Sequence, residues 1–329
     1  MYEPSDALAA PRFTGPRTYA RLPHVTSLDD VDCAVVGIPW DGSATFRGGA
    51  RHGPEAIRSV SALLRPYNAA QGVQVFGNLS VVDHGDAATV PGYVEETLAR
   101  IEAAIRPIAA AGVIPLGMGG DHLVTLGELR ALADVHGPLG LVHLDAHGDI
   151  WDSYFGLPYS HGTVFRRALE EKLIDPSRVL QAGMRGSLYD AADVDLPGEL
   201  GLEVIPWQEL SRLSPAEFSE RARARLGDGP AFFTFDVDFV DPAFCPGTGT
   251  PEIGGPDSFS ALELVRSLRG IDFRGFDVVE VAPTFDGPGQ QTALLAATVL
   301  YEMLSLVAHT SQPHEAGSAA PIARIDADS

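Results

Sequence analysis

Three short segments bring carboxylates and imidazoles close in sequence: Gly119-Gly120-Asp121-His122, Asp145-Ala146-His147-Gly148-Asp149 and Asp236-Val237-Asp238. In extended backbone, residues i, i+2 and i+4 share one side. Asp145, His147 and Asp149 are therefore expected to converge, and so are Asp236 and Asp238. If these segments end neighbouring strands, four carboxylates and one imidazole fill a small volume, and His122 adds a second imidazole. Such a cluster is costly to desolvate without a counter-charge. No Lys or Arg lies within the three segments, so a divalent cation is the economical answer. The donors are too many for one tetrahedral zinc. They suit two ions about 3.5–4 Å apart, bridged by carboxylate and water. Imidazole and carboxylate without thiolate favour Mn²⁺, while Ni²⁺, Co²⁺ or Zn²⁺ could bind the same set. A DxD alone is usually a strand end or cap, and a lone buried His usually a satisfied core residue. The joint pattern, each segment following an apolar run, argues for metal.

Those runs are the elements that must do the positioning. Short aliphatic stretches recur at 33–38, 112–116, 140–145, 231–236 and 276–281, each of a length suited to a buried strand. Helical periodicity fits 92–111, 122–135, 162–173, 213–226, 258–269 and 290–307. The alternation predicts an α/β fold with a mostly parallel sheet between helices. Ligands in such sheets gather at the carboxyl ends of the strands, where the acid and histidine segments fall. Residues 1–28 read as an N-terminal arm, 29–309 as a single domain and 310–329 as a disordered tail.

Composition narrows the functions. The 329 residues are 45% apolar and 20% charged, which is globular composition. With 23 basic and 44 acidic residues, the formal charge is −21. A surface this acidic argues against nucleic acid as partner and tolerates a cationic substrate. Cys33 and Cys245 form no CxxC pair, which excludes a thiolate zinc site and suits a reducing cytoplasm. No signal peptide is visible, and the apolar stretch 293–308 is interrupted by Glu302, so no membrane span is expected. GxxxxGK[ST] and GxGxxG patterns are missing, which argues against phosphate-loop and dinucleotide sites.

Two further residues stand near the expected centre. His161 follows the aromatic-rich loop 150–159 and is either a proton carrier or a histidine bonded to its own loop. Glu280 ends the run at 276–279 and either grips a cationic substrate or is a surface acid. The segment 245–255 (CPGTGTPEIGG) reads as a shaped loop beside Asp238.

Taken together, GIPWDGSATFRGGARHGPEAIR at 37–58, GGDH, LDAHGD, SHGT, FDVDFVDPAFCPGTGTPEIGG and VVEVAP, in that order, resemble the ureohydrolase family, which includes arginase and agmatinase. The resemblance spans residues 12–308. It implies a three-layer α/β/α domain, a trimeric or hexameric homo-oligomer and two Mn²⁺ ions. One ion would take His122, Asp145, Asp149 and Asp236; the other would take His147, Asp145, Asp236 and Asp238. Asp149 would also pass a proton to the leaving amine, His161 would shuttle protons, and Glu280 would bind the guanidinium of a small cationic substrate. Trp151 stands where arginases carry an Asn that binds the amino-acid head, which points away from arginine. WDSYFG and SHGTVFRRALEE look more like agmatinases, so the first expectation is agmatine hydrolysed to putrescine and urea. The alternatives are 4-guanidinobutyrate, 3-guanidinopropionate or free guanidine, or a non-catalytic partner subunit of an active homologue.

Overall fold

A computed structural model describes residues 1–310. Eight strands form one sheet: β1 Cys33–Gly37, β2 Val81–Asp86, β3 Ile114–Met118, β4 Leu139–Leu144, β5 Ile174–Ala182, β6 Glu203–Ile205, β7 Ala231–Asp236 and β8 Phe273–Val279. Their spatial order is β2-β1-β3-β8-β7-β4-β5-β6, and every pairing is parallel. A parallel sheet is covered on both faces, so its strands can be apolar throughout. Cys33 and Val35 pack on one side of β1, while Ala34 and Val36 pack on the other. The first side carries helices α1 Gly53–Ser61, α5 Pro215–Leu226, α6 Ser258–Ser267 and α7 Gln291–Thr310; the second carries α2 Val94–Ala110, α3 Val124–His136 and α4 Val164–Glu170. The result is the expected three-layer α/β/α architecture.

The sheet order explains how distant residues meet. The chain lays down β1 to β6 first, and β7 and β8 then insert between β3 and β4. The carboxyl ends of β3, β8, β7 and β4 consequently lie side by side. They lead into His122, Glu280, Asp236 and Asp145 respectively.

Three strands were not foreseen. β2 is acid-rich because Asp83 is a structural partner: Arg58 of α1 donates to its two oxygens at 2.8 and 2.9 Å. β5 contains Pro176 and Arg178, and β6 has three residues. Residues 1–28 are largely irregular, but their end is anchored: the Tyr19 hydroxyl donates to the Ala297 carbonyl at 2.8 Å, and the Tyr19 N–H donates to Asp83 at 2.8 Å. Helix α7 is long and apolar enough to cross a membrane, yet 83% of its most apolar window is buried against the sheet, as in a core helix. Residues 311–329, nearly all of the expected tail, lie outside the described residues; Thr310 ends α7.

Candidate metal centre

The acid segments are not extended, as the spacing argument supposed. β4 and β7 stop at Leu144 and Asp236, and the chain turns at once. Asp145 Oδ1 accepts the His147 N–H at 2.6 Å, Asp236 Oδ1 accepts the Asp238 N–H at 2.8 Å, and Asp121 Oδ1 accepts the Leu123 N–H at 3.2 Å. Each Asp caps its own turn two residues on, a habit of this side chain. The turns, rather than strand pleating, bring the carboxylates together. Asp149 completes the bend with a left-handed backbone, φ +51°, and Glu280 has φ +65°.

The buried His122 Nδ1 lies 2.9 Å from Asp149 Oδ2, 3.1 Å from Asp145 Oδ2 and 3.3 Å from Asp236 Oδ2. It has no well-aligned hydrogen bond of its own. One imidazole nitrogen and three carboxylate oxygens converging in this way suit a divalent ion. A second group adjoins it: His147 Nδ1 lies 3.1 Å from Asp238 Oδ2 and 3.5 Å from Asp145 Oδ1. Asp145 therefore turns one oxygen to each group. Asp236 Oδ2 faces His122, and its Oδ1 accepts the Asp238 N–H, as Asp145 Oδ1 accepts that of His147.

Four buried or nearly buried carboxylates create a strong demand for positive charge. Burial opposes protonation of His122 and His147, yet their Asp neighbours hold both imidazoles well above the usual range. Burial, reinforced by the Asp145 charge, pushes Asp238 up to about 7. Burial, with the charges of Asp238 and Asp145, raises Asp236 well above the usual carboxylate range as well. Raised values mean that the ion-free site retains protons, which incoming cations must displace. Metal affinity is therefore expected to weaken as pH falls through about 7, where Asp238 gains its proton. Mn²⁺ titrations at pH 6 and 8, read by calorimetry, check this; equal affinities at both would contradict it.

Sequence reasoning missed the residues that support the ligands. His143 Nε2 lies 2.6 Å from Asp145 Oδ2, and Gln181 donates to His143 Nδ1 at 2.9 Å, which leaves the ring proton facing Asp145. Burial lowers the His143 pKa, in keeping with a neutral ring. On the far side of His122, Nε2 meets Thr234 Oγ1 at 3.0 Å. Such contacts fix the ring orientation of a metal-binding imidazole. His143 and Thr234 each stand two residues before a ligand Asp, so the i, i+2 rule taken one step backwards would have found them.

His161 and Glu280 are brought together. His161 Nδ1 donates to Glu280 Oε1 at 3.0 Å, and the His122 backbone N–H donates to the same oxygen at 2.9 Å. His161 Nε2 accepts the Thr45 N–H at 3.1 Å and meets its hydroxyl at 2.7 Å. Glu280 is buried, and His161 beside it lines the cavity. Glu280 Oε2 accepts no hydrogen bond among the described residues.

Above the clusters opens a cavity of about 770 Å³. His147, Asp149, Asp236 and His161 line it, together with Ile150, Trp151 and Tyr154 from the aromatic loop and Thr250 and Glu252 from the glycine-rich loop.

The sequence profile of the Arginase family matches residues 31–305. This chain belongs to the arginase family. The family chain is 48% identical to the guanidinopropionase of Pseudomonas aeruginosa, covering 94% of this chain and 97% of that protein. It is 44% identical to the guanidinobutyrase of the same organism, over 93% and 97% of the two chains. It is 42% identical to the mitochondrial agmatinase of Gallus gallus, over 92% and 89%. The chain is thus an arginase-family ureohydrolase acting on guanidino compounds, and its clustered His and Asp residues could hold metal.

Proposed function

We propose that the protein hydrolyses ω-guanidino carboxylic acids, 3-guanidinopropionate and 4-guanidinobutyrate first, to urea and the corresponding amino acid. The observation that carries the two-ion part of this reading is the position of Asp145, with one carboxylate oxygen in each His/Asp group at the cavity floor. The motifs favour agmatine, but the guanidinopropionase and guanidinobutyrase relatives share somewhat more identity than the agmatinase does. Agmatine is the second reading.

In the reaction, guanidino compound and water give amine and urea. A guanidinium carbon is a poor electrophile, because the charge is delocalised and the group stays protonated at neutral pH. When bound, two divalent ions, taken as Mn²⁺ from the oxygen and imidazole donors, would supply a water of lowered pKa and positive charge beside the guanidinium carbon. His122, Asp145, Asp149 and Asp236 would hold one, and His147, Asp145, Asp236 and Asp238 the other. Asp149, at the cavity wall, carries a proton to the leaving nitrogen. Glu280 Oε2 is the acceptor left for a guanidinium N–H. His161, joined to Glu280 within and Thr45 above, exchanges protons with solvent. The same proposal includes a homo-oligomer, trimer or hexamer, in a reducing cytoplasm, where the two buried thiols stay free.

Urea release by Mn²⁺-loaded protein from 3-guanidinopropionate, 4-guanidinobutyrate, agmatine, guanidine and arginine tests the reading. The guanidino acids are expected to give the highest kcat/KM. A clear preference for agmatine would restore the second reading. Urea from none of them would overturn the enzyme and favour a partner subunit without activity of its own.

A further inference from the structure

Two arginines stand in the cavity wall, Arg47 and Arg185, and they are used differently. Arg185 spends its donors on backbone: it gives hydrogen bonds to the carbonyls of Asp238, Phe239 and Glu252 at 2.7–2.8 Å. Arg47 makes no hydrogen bond or ion pair among the described residues. Its guanidinium carbon lies 5.1 Å from the Phe46 ring centre and 5.0 Å from that of Phe285. Stacking of this kind limits the side chain's freedom while its in-plane N–H groups stay available. In a chain of net charge −21, an unpaired arginine facing a cavity over an acidic centre is unusual.

The loop that carries Arg47 is fixed to the catalytic floor. Ser43 donates to Asp121 through its N–H and its hydroxyl, both at 2.8 Å, and Thr45 contacts His161. The Gly49 N–H donates to Asp41 at 2.6 Å. The Arg47 carbonyl packs over Gly249, where a Cβ would lie 2.8 Å from that oxygen and 3.5 Å from Glu280 Oε2. One glycine thus separates the Arg47 backbone from the acceptor for the guanidinium. Two acids also line the cavity: Asp193, one oxygen of which accepts the Asp190 N–H at 2.8 Å, and Glu252, which lies 4.0 Å from His147 Nε2.

We propose that Arg47 is the specificity-determining residue that receives the carboxylate tail of the substrate. This rests on the ureohydrolase reading and names the feature that separates guanidino acids from agmatine. The side chain does no chemistry; it pairs with the end of the substrate away from the scissile bond.

The test compares wild type, Arg47→Met and Arg47→Lys, each loaded with Mn²⁺ and checked for metal content and circular dichroism. The substrates are 3-guanidinopropionate, agmatine and n-propylguanidine, which has no charged tail. In Arg47→Met, kcat/KM for the acid is expected to fall about 10- to 100-fold relative to n-propylguanidine, mainly through KM. Arg47→Lys should recover part of the loss. An equal fall for all three substrates would show a structural role and overturn the proposal, as would an unaltered preference for the acid. If wild type itself cleaves agmatine and n-propylguanidine but not the acid, the substrate reading fails instead.

Discussion

Asp145→Ala removes the one carboxylate that faces both His/Asp groups, and the variant is expected to bind at most one ion per chain and to lose turnover by about a thousandfold or more. Two consequences of the change must be separated. Alanine strands the His143 N–H, which is fully buried, at a cost of about 1–3 kcal/mol. It also removes a charge that, although burial opposes it, His143, His122 and His147 hold well below the usual carboxylate range, so the ion-free protein is expected to lose stability as well. Metal content is therefore read separately from the melts. Asp145→Asn keeps the shape and an oxygen for His143, yet it lacks the charge that holds the ions. Plasma emission analysis with thermal melts, with and without Mn²⁺, reads both effects. Two ions retained by the Ala variant would refute the shared-ligand arrangement.

Glu280→Gln is expected to keep both ions and still lower kcat/KM by roughly a hundred- to thousandfold, the scale set by removing one preorganised polar group from an active site. The carboxylate touches no ligand side chain, only the His122 backbone N–H and the His161 ring. The amide retains an oxygen for the first of these. It loses the charge that attracts a guanidinium and aligns His161. His161→Asn should also keep its metal while losing less activity, because Glu280 remains. A Gln variant that lost metal would make Glu280 part of the metal support rather than the substrate site.

How much of this was legible in the chain follows from how local each signal is. The five inner and central strands announced themselves as short aliphatic runs because both faces of a parallel sheet are buried. Strand β2 did not, since Asp83 and Asp86 look like loop residues until Arg58 is placed beside them. The eight candidate site residues were nameable from motif order and chemistry. Their convergence was attributed to pleated strands, whereas Asp145 and Asp236 capping their own turns brings it about. The supporting residues Gln181 and Thr45 carry no local signal. They matter only because β5 lies beside β4 and the loop after β1 folds over His161.

The late insertion of β7 and β8 between β3 and β4 has a consequence for how the enzyme matures. During synthesis the ribosome releases His122, Asp145, His147 and Asp149 well before Asp236, Asp238 and Glu280 exist. Until the last third has emerged, a nascent chain can offer four of the six candidate ligands. Any chain cut short before residue 236 is thereby left without a complete centre.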